Sequence, residues 1–405
     1  MKLTQLLHRE VLPTIGCTEP IAVALCVARA TKQLGVEPES ITVSISKNIY
    51  KNALSVGIPN TGLTGLPIAI ALGATIGDPD KELEVLASTT PEAVEYAKHF
   101  MERVPITINV DPNAPDMLYI HVMLLAGNLQ TEATICGSHT GQTTEAAEDD
   151  YSALTLKQVY DYALTVPIGE VSFLLDGAKM NIKAAEYSFC HICGHHLGKL
   201  LNDKGYTDTI NRILAYTSGA CDARMSGAMV PVMSNSGSGN QGISCSVPVY
   251  IYAMDHHCSE ELIIRALTLA NMTAIYIKLS LGRLSALCGC VVAATGSAAG
   301  ITYLQGGGYK EICYAINNMI ANISGMICDG AKPGCALKVA SGVTTALLSS
   351  TLAMAHSYAD ETEGIVDADI DQTIRNLTIL GREGMKSTDE MILQIMVAKQ
   401  HVSKH

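Results

Sequence analysis

Leu284-Ser285-Ala286-Leu287-Cys288-Gly289-Cys290 and, further along, Cys328-Asp329-Gly330-Ala331-Lys332-Pro333-Gly334-Cys335 are the stretches around which the chain is organised. Both are rich in thiols and glycine and nearly free of charge, and the second carries a Cys-Asp-Gly turn and a Pro-Gly turn. Packing alone does not ask for that combination, so they read as parts of an interior site. Outward from them the pattern is helical. Apolar spacing predicts helices over 154–165, 168–202, 208–218, 259–287, 309–326, 335–356, 368–380 and 388–402, with loops at 219–248 and 328–334 between them. The last helix is opened by Ser387-Thr388-Asp389-Glu390, which reads as a capping box.

The N-terminal part has a different texture. A helix over 2–12 ends near Pro13 and Gly16, and a second runs from Thr18-Glu19-Pro20 to Gln33. Cys17 stands just before that helix N-terminus, where free N–H groups and the backbone dipole favour a thiolate; an ordinary small residue at a cap is the plainer reading. From Ile41 to Ser55 the period changes to two, predicting a strand; its Lys47-Asn48 and Lys51-Asn52 face either a cleft or, on the plainer reading, solvent. A turn follows at Gly57-Ile58-Pro59-Asn60-Thr61-Gly62, then short helices at Leu66 to Ala74 and Glu92 to Glu102. Strands are expected at Ile106 to Val110, Met117 to Leu125 and Thr131 to Cys136, the last two joined at Gly127-Asn128. The fold class is therefore α+β: a large, mainly α-helical domain over 151–405 and a smaller α+β lobe over 40–150. The helices of 1–39 are expected to pack with the helical domain, and Glu145 to Asp150 is the expected boundary.

Composition sets limits. The chain has 405 residues, enough for two ordinary domains or one large one with an inserted lobe. Apolar residues make up 48% and charged residues 16%, while Trp is absent and Phe numbers three, so the core must be aliphatic, Ala-, Met- and Cys-rich. A net charge of -12 leaves no basic patch for nucleic acid or an anionic membrane. Uncharged runs from Met225 to Met254 and from Leu284 to Leu304 contain too many small polar residues for a lipid-facing helix. The thirteen cysteines are an odd number at irregular spacing, and Lys2, Arg9 and Glu10 break the opening stretch too early for a signal peptide, so none is expected. A reducing cytosol is the expected location.

Gly237-Ser238-Gly239-Asn240-Gln241-Gly242 matches the dinucleotide fingerprint, but Val247-Pro248-Val249 follows too soon to leave room for the helix that fingerprint requires. A polar loop whose N–H groups and side chains hold an anion such as a carboxylate is the better reading, and a plain surface loop, which the apolar flanks weaken, is the blander one. Cys190-His191-Ile192-Cys193-Gly194-His195-His196 lacks the second ligand pair of a zinc site and reads as a core Cys pair with exposed histidines. Ser138-His139-Thr140 follows a strand end, where polar side chains face a cleft or simply make a turn. Cys288, Cys328 and Cys335 can bring three thiolates to a [4Fe–4S] cluster, leaving one iron open as a Lewis acid, or they can be buried and redox-inert. Cys290 is a neighbour that could point inward as well.

Five separated motifs, in order, carry a resemblance. Gly16-Cys17-Thr18-Glu19-Pro20, Val56-Gly57-Ile58-Pro59, the loop from Asn235 to Gly242, Leu284 to Cys290 and Cys328-Asp329-Gly330-Ala331-Lys332 together resemble the L-cysteine desulfidases, which are similar to the α-chain of iron–sulfur L-serine dehydratases. The resemblance covers essentially the whole chain. It implies an oxygen-sensitive [4Fe–4S] cluster with one iron not bound by cysteine, and no pyridoxal phosphate. Cys288 and Cys328 match cluster cysteines. Cys335 looks like the third, although the serine dehydratases space their last two more widely. Cys17 matches a functional cysteine, as base or as an occasional fourth ligand. The reaction implied is β-elimination of L-cysteine to sulfide, ammonia and pyruvate. Ser234, Asn235, Ser236, Ser238, Asn240 and Gln241, with Ser138, His139 and Thr140 and with Asn60 and Thr61, are expected to hold the substrate. L-serine dehydration is the rival within the class; a non-catalytic redox sensor and a small-molecule binding protein are rivals outside it. The partners expected are the small amino acid and at most a second copy of the chain, as a homodimer.

Overall fold

The computed structural model describes residues 3–141, 151–282 and 285–402. The boundary expected at Glu145 to Asp150, and Leu284, lie outside the described residues. The chain begins with α1 (Leu3–Glu10), a short strand β1 (Pro13–Ile15) and α2 (Thr18–Leu34). Cys17 caps α2, Pro20 occupies its first turn, and Gly35 closes it at φ 74°. β2 (Ser40–Ile45) is shorter than the strand expected over 41–55. Ser46 ends it: its hydroxyl accepts from the Ile49 N–H and starts α3 (Lys47–Ala53). Asn48, Lys51 and Asn52 therefore share one helix face at i, i+3 and i+4 instead of alternating across a sheet.

After α4 (Leu66–Thr75) and α5 (Pro91–Arg103) come β3 (Ile106–Val110), β4 (Tyr119–Ala126) and β5 (Leu129–Cys136). The sheet order is β3-β2-β4-β5, with β3 parallel to β2 and the other pairs antiparallel. Val43 stands opposite both Ile108 and Val122, and Ile120 opposite Ile135, so the apolar residues of all four strands fall in register. α2 packs on β4 and β5, and its Ile21, Leu25 and Ala28 join Ile70, Phe100 and the sheet in one buried cluster. The larger of these side chains, Ile21, Leu25, Ile70 and Phe100, each contribute about 1.5–3 kcal/mol. The two N-terminal helices thus part company. α1 enters the core of the helical body through Leu6 and Leu7, whereas α2, apolar on nearly every side, belongs to the sheet.

The helical body contains α6 (Leu156–Thr165), α7 (Ile168–Val171), α8 (Phe173–Cys190), α9 (Leu197–Asp203), α10 (Thr209–Met225), the strand β6 (Pro231–Met233), α11 (Gly239–Asp255), α12 (Glu260–Leu281), α13 (Gly289–Leu304), α14 (Tyr309–Ile323), α15 (Cys335–Met354), α16 (Ile370–Ile379) and α17 (Lys386–Val402). The architecture is α+β with a mainly helical body. α13 lies at its centre, against α11, α12, α14 and α15. It is buried all round because small residues let its neighbours close in: a Cβ on Gly296 would stand 2.3 Å from the Ala270 carbonyl oxygen of α12.

Several expectations change here. The helix expected over 168–202 is broken, with Cys190 exposed and Cys193 buried, because Gly194 at φ 53° turns the chain and Asp222 accepts from the N–H groups of His195 and Gly198. The glycine-rich motif does open a helix, α11, which runs straight through Pro248. That proline lacks the N–H that would reach the Ser244 carbonyl, and the Ser297 hydroxyl donates to that carbonyl instead. The dinucleotide reading still fails, for a different reason: β6, before the motif, pairs antiparallel with β1 rather than in a parallel βαβ unit. Ser387 and Thr388 lie inside α17 and cap nothing; Asp389 and Glu390 face Lys51 and Lys47 of α3 instead. α12 and α15 are long and apolar enough to cross a membrane by length and composition, but the apolar window of α12 is 83% buried inside the body.

Candidate active site

Four helix N-termini meet at one cavity where the α+β lobe abuts the helical body. Cys17 caps α2, Ser238 caps α11, Cys288 caps α13, and Cys335 is the first residue of α15; all four line a cavity of about 120 Å³. Each terminus points positive dipole and backbone donors toward the cavity, a setting that favours anions. α3 adds Asn48, Lys51 and Asn52, while Arg224, Lys278 and Lys338 enter from α10, α12 and α15.

The two thiol-bearing stretches are held side by side by backbone bonds. The Cys288 N–H donates to the Met326 carbonyl at 2.9 Å and the Cys328 N–H to the Ala286 carbonyl at 2.6 Å. The tight loop after Cys328 then returns Cys335 to the same wall. Its Asp329 carboxylate receives both Lys332 and Lys338. Gly330, at φ 90°, lets the loop touch α3, since a Cβ there would lie 2.2 Å from the Lys51 carbonyl oxygen. Cys290 also lines the cavity, its Sγ 3.1 Å from the Cys288 Sγ, but its thiol is occupied by Met326 Sδ at 3.2 Å and the Lys338 carbonyl at 3.5 Å. Cys221 lies behind the wall, buried and close enough to act electrostatically on Cys335 and Cys288.

Cys17 is not the thiolate its position suggested. Burial pushes its thiol well above the ordinary value, Glu19 pushes it further, and Arg224 only partly offsets them. Its Sγ donates to Glu19 Oε2 at 3.0 Å, and Asn52 Nδ2 donates to Glu19 Oε1 at 3.1 Å. For Glu19, burial pushes upward, but His139, the Cys17 thiol, its own N–H and Arg224 outweigh it and hold the carboxyl below its usual range. The resting pair is therefore a neutral thiol on a carboxylate. Favourable as the α2 terminus is, enclosure beside an anion wins.

The substrate-binding residues expected from sequence divide. Ser238, Asn240 and Gln241 line the cavity. His139 stands at its edge, 3.8 Å from where a Cβ of Gly237 would be. Ser234, Asn235 and Ser236 do not line it; they brace the α11 terminus from behind, Ser234 Oγ on the Leu12 carbonyl at 2.6 Å, Asn235 Nδ2 on Asn271 Oδ1 at 3.0 Å, and Ser236 Oγ on Asn235 Oδ1 at 2.9 Å. Asn60 and Thr61 serve the fold: Thr61 Oγ1 donates to the Ile58 carbonyl of its own turn, Asn60 Nδ2 to the Thr89 carbonyl ahead of α5, and the Asn60 N–H to the Gly227 carbonyl just past α10. Ser138 and Thr140 also stay outside, and the Thr140 carbonyl receives Arg29. Arg224, Lys278 and Lys338 are site residues that sequence reasoning missed, and Asn48, Lys51 and Asn52 are ones it left open between a cleft and a solvated face. For Arg224 a signal was present: it is an isolated cation in an almost uncharged run.

The thiols of this wall bear on whether an iron–sulfur cluster fits here. Contact with Cys290 raises the Cys288 thiol, contact with Cys288 raises Cys328, and burial raises Cys335, so none is a thiolate by itself; coordination to iron deprotonates a thiol outright. Among the described residues no three His, Cys, Asp or Glu side chains are placed to grip a single ion. Three soft donors on one wall of the cavity, with Lys51 and Lys338 close by, fit a polynuclear, anionic group in donor type and charge.

Such a cleft suits acid–base chemistry on a small anionic molecule. Comparison with known proteins gives it a family: the chain belongs to the serine dehydratase alpha chain family, matched over residues 80–394. A UPF0597 protein of Bacteroides fragilis is 55% identical over 415 aligned positions, covering 97% of each chain. Similar UPF0597 proteins occur in Phocaeicola vulgatus, at 54% identity over 98% of this chain and 97% of that one, and in Aeromonas hydrophila, at 40% over 98% and 95%. The family supports a related, lyase-like role for this chain. Cys17, Glu19 and α3 lie before the matched range.

Proposed function

We propose that the chain is a lyase that β-eliminates L-cysteine to sulfide, ammonia and pyruvate. The observation carrying this is the placement of Cys288, Cys328 and Cys335 on one wall of a cavity and the Cys17–Glu19 pair on another. A [4Fe–4S] cluster held by those three cysteines would supply a Lewis-acidic iron that makes the β-sulfur a better leaving group. The Cys17 Sγ takes the Cα proton while its own proton passes to Glu19 Oε2, which already accepts it at 3.0 Å. Asn52 fixes the orientation of that carboxylate. Loss of the Cα proton and the β-sulfur leaves aminoacrylate, which tautomerises and hydrolyses to pyruvate and ammonia. Leu287, Ala331 and Val339 complete the wall beside the thiols, an apolar surface that suits sulfur and gives a hydroxyl little to bond.

The family description favours a second reading, dehydration of L-serine by the same groups. Anaerobic purification, cluster reconstitution and parallel assays on the two amino acids separate the readings. Sulfide and pyruvate in equal amounts from L-cysteine, lost on brief exposure to air, support desulfidation. Pyruvate from L-serine alone supports dehydration, and a bound cluster with neither product points to a redox sensor.

A further inference from the structure

Among the described residues that line the cavity, three polar atoms are left without a partner by the fold, and they are of two kinds. Arg224, 4% exposed, sends Nη1 to Asn240 Oδ1 at 3.2 Å, while its Nε donates to nothing. Gln241, also 4% exposed, and Asn48 have carbonyl oxygens, Oε1 and Oδ1, that accept from nothing. All three side chains line the cavity. A buried donor or acceptor left unpaired is costly, so one donor and two acceptors around one space describe the complement of a ligand.

The other cations among the described residues of the cavity are already engaged. Lys51 is paired with Asp389, Lys338 with Asp329, and Lys278 also has a partner. Among the described residues of the cavity, Arg224 alone pairs a permanent charge with an open donor, and it lies over Gly239, the first residue of α11: a Cβ there would come within 2.3 Å of Nε. Guanidinium and helix N-terminus are thus adjacent, and together they favour a carboxylate. The Gln241 and Asn48 oxygens, with the Glu19 carboxylate nearby, offer an ammonium group what it needs. We propose that Arg224 and the N-terminus of α11 bind the α-carboxylate of the substrate, and that Gln241 Oε1 and Asn48 Oδ1 accept from its α-ammonium. The cavity then selects free α-amino acids over compounds with only one of the two groups. This rests on the reading that the substrate is an amino acid.

Calorimetric titration of the anaerobic, cluster-loaded protein with three thiols tests it without turnover. 3-Mercaptopropionate keeps the carboxylate, cysteamine keeps the ammonium, and ethanethiol has neither. Wild-type protein should bind ethanethiol at least about tenfold more weakly than either of the others. Arg224→Gln should weaken 3-mercaptopropionate by about ten- to a hundredfold and leave cysteamine within about twofold. Gln241→Leu should do the reverse, and Arg224→Lys should recover only part of the carboxylate affinity, since it restores charge without the planar fork. Equal loss of both ligands in Arg224→Gln, or no loss of either, overturns the proposal. So does equal binding of all three thiols by the wild type, which needs no variant to fold. A protein that binds as described but releases neither sulfide nor pyruvate keeps this subsite and loses the reaction; turnover with indifferent binding does the opposite.

Discussion

The Cys17 thiol and the Glu19 carboxylate share one proton across 3.0 Å at the mouth of α2, and Thr18 Oγ1 and Asn52 Nδ2 each hold the same carboxylate at 3.1 Å. The proton rests on sulfur because burial and the neighbouring anion raise the thiol while His139 and Arg224 help keep the acid ionised. A base of this kind is activated by handing its proton on, not by standing as a free thiolate.

Glu19→Gln removes the second cause that raises Cys17. The thiol should ionise at lower pH, although burial still holds it above its ordinary value. Alkylation of Cys17 by iodoacetamide, followed by mass spectrometry across pH, should show its midpoint moving downward. An unchanged or higher midpoint would mean that Glu19 does not govern this proton. Turnover should fall in the same variant, because the acceptor is gone.

The cysteines should separate by role. Cys288→Ser, Cys328→Ser and Cys335→Ser should each lose iron and the cluster absorbance on reconstitution. Cys290→Ser should keep both, because the three ligands assigned are Cys288, Cys328 and Cys335, and the Cys290 sulfur is turned toward Met326 and the Lys338 carbonyl. Cys17→Ser should retain the cluster and lose about 10²–10⁴-fold in kcat. A Cys17 variant that also fails to hold iron would make it a ligand.

How much of this was legible beforehand depended on whether a signal was local. The β4–β5 hairpin was readable because period-two apolar runs flank Gly127-Asn128, and the thiol wall because cysteines in glycine-rich turns have few structural uses. α3 was missed because one hydroxyl, that of Ser46, ends a strand that alternation alone would continue. α11 and α13 were hidden by Pro248, Gly296 and Gly300, residues that break isolated helices but are tolerated where a serine replaces the lost bond or a neighbouring backbone comes close. The polar residues Ser234, Asn235, Ser236, Asn60 and Thr61 looked like ligand binders, yet they satisfy backbone and side-chain groups of the fold, which composition cannot distinguish. Arg224 and Lys51 reach the cavity only through tertiary packing.

Lys51 and Asp389 tie α3 to α17, with side chains 2% and 24% exposed. Asp389→Ala leaves a buried ammonium without its counter-ion and should destabilise the protein by about 2–3 kcal/mol, toward the low end for a buried pair because solvent reaches the acid. Lys51→Met combined with Asp389→Leu should recover most of that loss. Urea unfolding of the three proteins measures both; a double variant no better than the single would remove the burial argument.

Asp329 supplies an acid-sensitive contribution to the loop that bears Cys328 and Cys335. Burial pushes its carboxyl up, but Lys332 and Lys338 outweigh burial and leave it at about 2. The folded value lies below the unfolded one, about 3.9, so this stabilisation is complete above about pH 4 and disappears as the pH falls through about 2. The difference in urea midpoint between wild type and Asp329→Asn should be constant from neutral pH down to about 4 and close below it. A difference that persists at pH 2 would assign the effect to something other than this carboxylate.

The central claim is that L-cysteine is eliminated at a cluster held by Cys288, Cys328 and Cys335, and graded reconstitution tests it most directly. Iron content and pyruvate release from L-cysteine are measured in the same anaerobic samples, from apoprotein to fully loaded protein, with Cys328→Ser in parallel. Pyruvate release should rise in proportion to iron, start from zero, and stay at zero in the variant. Turnover by the apoprotein, or a fully loaded wild type that releases no pyruvate from L-cysteine, would contradict the account.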